Sequence, residues 1–281
     1  MALDLHQHSV YSDGTDTVAD LVRRAVGMGL SAMSLTDHDT IAGVEECREL
    51  AAQAGIRFVA GVEFESWEGP HILGYFKNGL SGPAERAIAA YRQMGAEFVA
   101  ETVRRLKEAG YALDLNAVLL RPGPGTPHVG HVVAEMRSRG ALSSLDRTNE
   151  EYRSVFGPGA PAERPSWEAN FWGVASLIRA LRDSGAVTVL AHPSNPRRLD
   201  LWPEMVAAGL QGVEAYHRRN HVERNIPEFA RLAEDRGLIV TGGWDHHGEA
   251  QAAYLASVNL DGFAPPDALL GPLLDLIEVA A

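Results

Sequence analysis

The stretch Ala2-Leu3-Asp4-Leu5-His6-Gln7-His8-Ser9 opens with a short apolar run and ends in two histidines separated by one residue. The apolar run predicts a β-strand, and side chains alternate between the two faces of an extended chain. His6 and His8 therefore point the same way and form a potential chelating pair. Taken alone, the motif is about as well explained by two unrelated polar side chains. Further potential ligands elsewhere in the chain are needed to indicate a metal site.

Similar apolar runs recur on both sides of the middle of the chain. Further strands are predicted at residues 32–36, 57–63, 71–76, 187–191, 212–216 and 238–241. Helical patterns lie between them at residues 17–28, 41–54, 172–184, 201–208 and 222–236. Such alternation predicts parallel strands joined by crossover helices. We therefore expect an α/β, barrel-like core built from residues 1–80 and 165–281.

Residues 81–164 lack this alternation. Apolar side chains recur at helical spacing from Ile88 to Leu106, and further helical stretches run from His128 to Arg139 and up to Phe156. Loops rich in glycine and proline separate these stretches. We expect residues 81–164 to form a helical insertion over one mouth of the barrel.

Composition narrows the class of protein. The chain has 281 residues, of which 46% are hydrophobic and 22% charged, and it has no apolar run long enough for a membrane span. The start of the chain lacks the basic and apolar segments of a secretory signal, so we predict a cytoplasmic protein. The single cysteine, Cys47, excludes an intrachain disulfide and a thiolate cluster. A net charge of −12 argues against DNA duplex binding but leaves room for a local phosphate pocket.

Metal-binding side chains follow the predicted strands at the point where each strand ends. They include His38 after the second strand, Glu63 in the third, His192 after the fifth, and Asp245 and His247 after the last. In parallel barrels this rim carries catalytic residues. Burying so many titratable groups together without a cation would be costly. Imidazole and carboxylate ligands together suit zinc, manganese or iron better than calcium.

The chain resembles the PHP (polymerase and histidinol phosphatase) family. The resemblance rests on His6-x-His8, Asp13, Thr36-Asp37-His38-Asp39, Gly61-x-Glu63, Ala191-His192-Pro193 and Asp245-x-His247, which occur in order from end to end. It implies a distorted (β/α)7 TIM-like barrel and a centre of two or three divalent ions. By that resemblance, one ion is bound by His6, His8, Glu63 and Asp245, and a second by Glu63, His71 and His192. A third ion would be bound by Asp13, His38 and His247.

The helical block resembles the insertion of a bacterial branch of the same family that dephosphorylates nucleotides or trims RNA from its 5′ end. This chain departs from that branch at Thr126 and Asn195, where the branch usually has arginine. Arg197 or Arg198 could replace the lost phosphate contacts, or could be a solvated surface pair. Candidates for touching substrate are His128, His217 and His221. We expect Asp37 and Asp39 to orient metal-bound imidazoles, and His246 to be a neighbour of the site.

The resemblance implies a hydrolase that cleaves a phosphate monoester, of a nucleotide or similar small molecule, by metal-activated hydroxide. The implied catalytic residues are His6, His8, Asp13, His38, Glu63, His192, Asp245 and His247. Three alternatives stay open at this point: a 5′–3′ exoribonuclease or phosphodiesterase acting on short RNA, a non-catalytic module that binds metal and nucleotide, and an amide hydrolase on a similar barrel.

Overall fold

The computed structural model describes residues 2–147, 149–162, 172–194 and 198–280. The described residues contain seven strands: β1 (Ala2–Asp4), β2 (Leu30–Leu35), β3 (Arg57–Glu65), β4 (His71–Phe76), β5 (Val187–Leu190), β6 (Gly212–His217) and β7 (Ile239–Gly243). The helices of the first and last thirds are α1 (Val18–Gly27), α2 (Val44–Gln53), α7 (Val174–Arg182), α8 (Trp202–Ala207), α9 (Arg218–Val222), α10 (Ile226–Glu234), α11 (Ala252–Ser257) and α12 (Leu270–Ala280). The middle of the chain forms α3 (Pro83–Glu108), α4 (Leu115–Leu120), α5 (Val129–Ser138) and α6 (Glu150–Phe156).

The seven strands form one sheet in sequence order, from β1 to β7. Its two ends approach each other, because the Leu5 amide donates to the carbonyl oxygen of Gly242 at 3.1 Å and the His8 amide to that of His246 at 2.9 Å. The sheet is therefore a nearly closed barrel, which confirms the predicted distorted seven-stranded fold.

The direction of β4 differs from the prediction. Neighbouring strands run parallel except that β4 is antiparallel to both β3 and β5. The connection from β3 to β4 is a turn over residues 66–70, in which the Gly69 amide donates to the Ser66 carbonyl oxygen at 3.0 Å. A parallel connection needs a crossover of about a dozen residues or more. The reversal places His71, at the start of β4, opposite Glu65 at the end of β3 and on the same rim as the other strand ends.

Local sequence explains the first crossover helix. Thr17 caps α1, because its side chain accepts from the Asp20 amide at 3.2 Å while Asp20 accepts in return from the Thr17 amide at 3.0 Å. This reciprocal arrangement satisfies two amides that the first helical turn leaves without partners. The buried face of α1 consists of Val18, Leu21, Val22 and Ala25. These side chains share a hydrophobic cluster with side chains of β2 and α2.

The barrel interior and one end are filled by apolar side chains. Leu5, Leu73 and Val189 are completely buried in a cluster to which α12 contributes Leu273. The Tyr75 hydroxyl crosses this interior and donates to the Leu5 carbonyl oxygen at 2.8 Å. With this interior packed, the rim formed by the ends of β1, β2, β3, β5, β6 and β7 is where polar side chains can gather.

Helices α3 to α6 have a hydrophobic cluster of their own, which includes Val99, Val103, Leu106, Val132 and Met136. The block contacts the rim directly. The Thr126 amide donates to the Tyr11 carbonyl oxygen at 3.1 Å, the Thr126 hydroxyl to the Asp39 carbonyl oxygen at 2.9 Å, and His131 Nε2 to the Val10 carbonyl oxygen at 3.0 Å. These contacts fix the helical block beside the polar end of the barrel. Over the described part of the chain, no helix combines the length and apolar character needed to cross a bilayer.

Candidate metal centre

One buried cluster at the rim brings together side chains from several strand ends and loops. Within the described residues, three groups have potential ligand atoms all within 4.8 Å of one another: His8, Asp13, His38 and His247; His6, His8 and Glu63; and His38, Glu63 and His71. His192 and Asp245 contact members of the same groups. The structure therefore assembles all nine side chains that the resemblance implies as ligands.

Glu63 lies at the middle of this cluster. Its Oε2 is 3.2 Å from Nε2 of His6, 3.2 Å from Nε2 of His8 and 3.3 Å from Nε2 of His38. Its other oxygen, Oε1, is 3.1 Å from His71 Nδ1 and 3.1 Å from His192 Nε2. A carboxylate with imidazoles around both oxygens is suited to bridging two cations.

The donor set fits a cation better than it fits internal hydrogen bonding. His6 Nδ1 is 3.0 Å from Glu214 Oε1, and since an ionised carboxylate only accepts, His6 carries its proton on Nδ1. In the neutral imidazole, Nε2 of His6 is then an acceptor, and it lies 3.1 Å from Nε2 of His8. Glu63 Oε2 is a buried atom that makes no hydrogen bond within the described residues. Lone pairs that converge in this way need a positive charge between them.

Asp245 follows the end of β7 and contacts the group formed by His6, His8 and Glu63. Its Oδ1 lies 3.3 Å from His8 Nε2 and 3.6 Å from His6 Nε2. Its Oδ2 is held from the other side by Arg218 Nη2 at 3.0 Å, with His217 Nε2 at 3.4 Å. Asp245 has a left-handed backbone with φ of 48°, which is unusual for a residue with a side chain. Arg218 also donates to the carbonyl oxygens of Trp244 and Asp245, so it fixes both the turn and the carboxylate.

Asp13 forms the other end of the cluster. Its Oδ1 is 3.3 Å from His247 Nε2 and 3.7 Å from His8 Nδ1, while its Oδ2 accepts from Arg147 Nη2 at 2.6 Å. The His8 ring stacks against the ring of His38 and against that of His247, with centroid separations of 4.6 Å and 4.1 Å. His8 therefore touches both ends of the cluster, whereas the resemblance places it at one ion only. The pairing of particular side chains with particular ions stays a prediction.

The acids of the cluster are ionised in the fold. Burial by itself raises the pKa of Glu63, but the imidazoles of His6 and His38 outweigh burial and hold that pKa well below its usual value. The pKa of Asp245 is likewise well below normal, because Arg218 and neighbouring imidazoles outweigh burial.

The imidazoles of the cluster divide: burial holds the pKa of His38 and of His247 below its ordinary value, whereas the pKa of His8 is raised. Burial lowers the pKa of His8, but its contacts with Asp245 and Glu63 outweigh burial and raise it to about 10. Protons and cations compete for the same nitrogens, so ion binding at this cluster releases protons.

Three residues of the site were not predicted from the sequence. Glu214 is completely buried, and its Oε2 accepts from the His192 amide at 2.9 Å while Oε1 holds His6. Its signal was a carboxylate between the apolar residues Val213 and Ala215 of β6, where a buried charge demands partners. Arg218 follows the end of the same strand and could have been weighed with His217. Arg147 has no local signal, because its partner Asp13 lies 134 residues away.

Asp37 has a different role from the predicted one. Its carboxylate accepts from the Ser9 amide at 2.7 Å, the Ser9 hydroxyl at 2.6 Å and the Ser12 hydroxyl at 2.6 Å. It therefore orders the loop that carries Asp13 rather than orienting an imidazole, so that prediction was wrong. Asp39 has φ of 57°, and its backbone joins Glu63 to Thr126. His246 bonds Asp16 at 2.8 Å, as expected of a neighbour.

Two of the residues predicted to contact substrate, His128 and His217, line cavities together with residues of the cluster. The His128 ring stacks on His38 with centroids 5.7 Å apart, and both line a cavity of about 220 Å³. His217 lines a second cavity of about 350 Å³ together with His192 and Asp245.

The structure does not bring His221 or Arg198 to the cluster. His221 packs on Phe263 and lines a separate cavity. Arg198 is occupied by Asp200 and by the Glu68 carbonyl oxygen, and Arg197 lies outside the described residues.

Comparisons with known proteins agree with this geometry. The family model described as "PHP domain" matches residues 4–157. A relative from Eggerthella lenta, named phosphoribosyl 1,2-cyclic phosphate 1,2-diphosphodiesterase, is 32% identical over 89% of this chain and 95% of its own length. A relative from Chromobacterium violaceum, named 3′,5′-nucleoside bisphosphate phosphatase, is 28% identical over 87% of each chain.

A solved structure shares the fold. It comes from Bifidobacterium adolescentis, and its description names a metal-dependent phosphoesterase. The two structures superpose with a TM-score of 0.81, at 24% identity, over 98% of this chain and 96% of the other. At that identity the likeness supports the fold alone.

Proposed function

Because the chain belongs to the PHP domain family, we propose that it is a metal-dependent phosphoesterase that hydrolyses a phosphate monoester of a nucleotide or similar small molecule. The observation that carries the proposal is the convergence of Glu63 and Asp245 oxygens with the Nε2 atoms of His6 and His8, at separations of 3.1 to 3.3 Å. Relatives named for phosphoester hydrolysis support the reaction class, and one of them is named for a nucleotide substrate.

The proposed centre would hold two or three ions of manganese, zinc or iron. Glu63 would bridge two of them, with His6, His8 and Asp245 on one side and His71 and His192 on the other. Asp13, His38 and His247 would hold a further ion. Bound divalent ions lower the pKa of a coordinated water to about 7 and neutralise charge on phosphoryl oxygens. No side-chain nucleophile is needed.

The chain's own residues hold this arrangement in place. Glu214 keeps the His6 proton on Nδ1, so that Nε2 faces the centre. Arg218 holds Oδ2 of Asp245 and leaves Oδ1 directed at the histidines. Partners of this kind fix ligand orientation, and their loss commonly costs ten- to a hundredfold in metal affinity. His128, beside His38 at the cavity, is the proposed donor of a proton to the leaving oxygen.

We propose that residues 81–164 are an insertion in a barrel formed by residues 1–80 and 165–281, and that the insertion covers the active-site mouth. The support is the separate hydrophobic cluster of α3 to α6 and its contacts with the rim at Val10, Tyr11 and Asp39. The cavity between the two parts is lined by His38 from the rim and by Tyr91, Phe98 and Tyr152 from the helices. Such a cover would exclude bulk water from the reacting phosphate.

A phosphodiester is the second candidate substrate, since the relative that is 32% identical is named as a diphosphodiesterase. Short RNA is the third, and the net charge of −12 disfavours it because a long phosphate backbone needs a basic surface. A non-catalytic module that binds metal and nucleotide would retain the cluster without turnover. Action in the cytoplasm stays a prediction.

A phosphoester panel tests the proposal. Full-length protein reconstituted with Mn²⁺, Zn²⁺ or Fe²⁺ is assayed on nucleoside monophosphates, bisphosphates, cyclic phosphates and 5′-phosphorylated RNA. Glu63→Gln and Asp245→Asn should abolish turnover, whereas Glu278→Gln, an exposed carboxyl paired with Lys77, serves as the matched control. Absence of turnover with every substrate and ion, with nucleotide binding retained, would instead identify the non-catalytic module.

A further inference from the structure

The barrel closes at a seam where the segment after β1 meets the end of β7, and a proposed metal ligand lies on each side of that seam. His6 lies two residues beyond β1, and Asp245 lies two residues beyond β7. Across the seam, the Leu5 amide donates to the Gly242 carbonyl oxygen at 3.1 Å. The separation of the two ligands therefore depends on how the two segments are held together.

Asp4, the last residue of β1, bonds to both segments through one oxygen atom. Its Oδ1 accepts from the His6 amide at 3.3 Å and from the Trp244 amide at 2.9 Å. The first amide belongs to a proposed ligand, and the second belongs to the residue directly before a proposed ligand. The Asp4 side chain is completely buried, so bulk water does not compete for these contacts. Asp4 therefore links the two ligand-bearing segments directly.

The other oxygen of Asp4 pairs with a cation. Oδ2 accepts from Arg24 Nη1 at 2.9 Å, and Arg24 comes from α1 with its Cζ atom 5.5 Å from the centre of the Trp244 ring. A buried carboxylate is costly unless it is paired, and Arg24 supplies the opposite charge. The contacts that set geometry and the contact that compensates charge therefore lie on different oxygens and can be changed separately.

A glycine permits the close approach at this seam. A Cβ atom at Gly243 would lie 2.4 Å from the His6 Cβ and 2.6 Å from the His6 nitrogen, closer than side chains tolerate. Two residues later the chain turns sharply, since Asp245 has φ of 48°. The Trp244 amide lies between the close approach and the turn, and it is the amide that Asp4 holds. Asp4 therefore fixes the point from which the Asp245 side chain is directed.

We propose that Asp4 is a positioning residue of the metal centre, which sets the separation of His6 and Asp245 through the two amides bonded to its Oδ1. The proposal rests on the metal centre of the proposed function and adds the residue that fixes its geometry at the seam. Both oxygens of Asp4 are occupied by donors, so Asp4 acts through its neighbours and is not itself a ligand. The ion bound beside Asp245 should depend on Asp4 more than the ion bound beside Asp13.

Variants of the full chain separate position from charge. Asp4→Glu keeps the charge but moves the carboxylate by one methylene group, so it should lower the affinity for one ion about ten- to a hundredfold. Asp4→Asn, made together with Arg24→Met so that no two donors face each other, keeps an acceptor for the amides and should bind metal as Arg24→Met alone does. Arg24→Met leaves the Oδ1 contacts in place, so it should lower the urea midpoint and leave metal affinity unchanged. Asp275→Glu, an exposed position on α12, is the matched control.

Titration of the metal-free chain with Mn²⁺ against a competing chelator resolves the binding steps without any need for turnover. In Asp4→Glu one step should weaken while the others stay at their wild-type affinity. Equal weakening of every step would show that Asp4 only stabilises the fold, and it would overturn the proposal. Wild-type binding in Asp4→Glu, with weak binding in the Asp4→Asn and Arg24→Met double variant, would overturn it too, because charge rather than position would then decide affinity.

The test stays decisive if Asp4→Glu does not fold. The double variant is then compared with Arg24→Met alone, and a weaker Mn²⁺ affinity in the double variant would overturn the positioning role, whereas equal affinity would support it. Wild-type protein that binds Mn²⁺ but hydrolyses no phosphoester would refute the phosphoesterase function, and the titration would still decide the role of Asp4.

Discussion

Replacement of Arg218 by methionine tests the claim that this arginine holds the metal centre together from outside it. Methionine keeps much of the side-chain volume and removes the charge and all donors. The guanidinium now contacts Asp245 Oδ2 at 3.0 Å and the carbonyl oxygens of Trp244 and Asp245, and its side chain is only 7% exposed. The change therefore leaves a buried carboxylate without its nearest cation.

The expected magnitude follows from those contacts. Removing one partner of a buried ion pair costs about 3–5 kcal/mol, because the remaining charge stays buried. The two carbonyl oxygens that lose donors belong to the same turn, so their contribution is contained in that range rather than added to it. Freed Oδ2 also lets the Asp245 carboxylate rotate away from His8. A ten- to a hundredfold loss of metal affinity is therefore expected.

Two measurements check this prediction. Urea denaturation of the metal-free protein gives the change in unfolding free energy, and competition with a chelator gives the affinity for Mn²⁺ or Zn²⁺. Arg219→Met is the matched control, because the neighbouring arginine is exposed and pairs with Glu223, and its loss should change stability by less than about 1 kcal/mol. If Arg218→Met stays within about 0.5 kcal/mol of wild type and binds metal equally well, the reasoning is refuted.

Three further predictions follow from other contacts. Glu214→Gln should lower metal affinity about ten- to a hundredfold, since an amide can donate to the imidazole it now holds and favour the wrong tautomer, and the same chelator competition measures it. Burial lowers the pKa of His131 below its ordinary value of 6.5, so the stability that neutral His131 contributes is full above pH 6.5 and is lost as the pH falls toward the folded pKa. Thermal melts should show a smaller drop between pH 7 and pH 5 in His131→Gln than in wild type, and equal drops would contradict the assignment. Gly95→Ala would place a Cβ 2.4 Å from the Pro127 carbonyl oxygen and should destabilise by about 1–3 kcal/mol in urea, whereas Gly27→Ala, which meets nothing within 4 Å, should be neutral or stabilising.

Much of the architecture could be predicted because it depends on short-range patterns. A period of two identifies strands, and the alternation of strands with helices identifies the barrel. Once the strands are located, their ends are located too. His6, His38, Glu63, His192 and Asp245 could therefore be assigned to one rim from the amino-acid sequence alone.

The antiparallel direction of β4 was not predicted from the sequence. The apolar pattern of β4 is the same in either direction, so periodicity does not reveal orientation. The length of the loop before β4 does reveal its orientation. The five residues from Ser66 to Pro70 are too few for the crossover that a parallel strand would need. The reversal brings His71 to Glu63 at 3.1 Å.

The sequence by itself determined the barrel, the helical block and the residue types gathered at the rim, because each depends on spacing within about twenty residues of chain. The tertiary structure decided which charges meet. Glu214 lies 208 residues from His6, and Arg147 lies 134 residues from Asp13. Such pairs form when the barrel closes and the helical block packs on its rim, so no local pattern encodes them. The same closure leaves His221 beside Phe263 and away from the centre, although its sequence position at a strand end suggested otherwise.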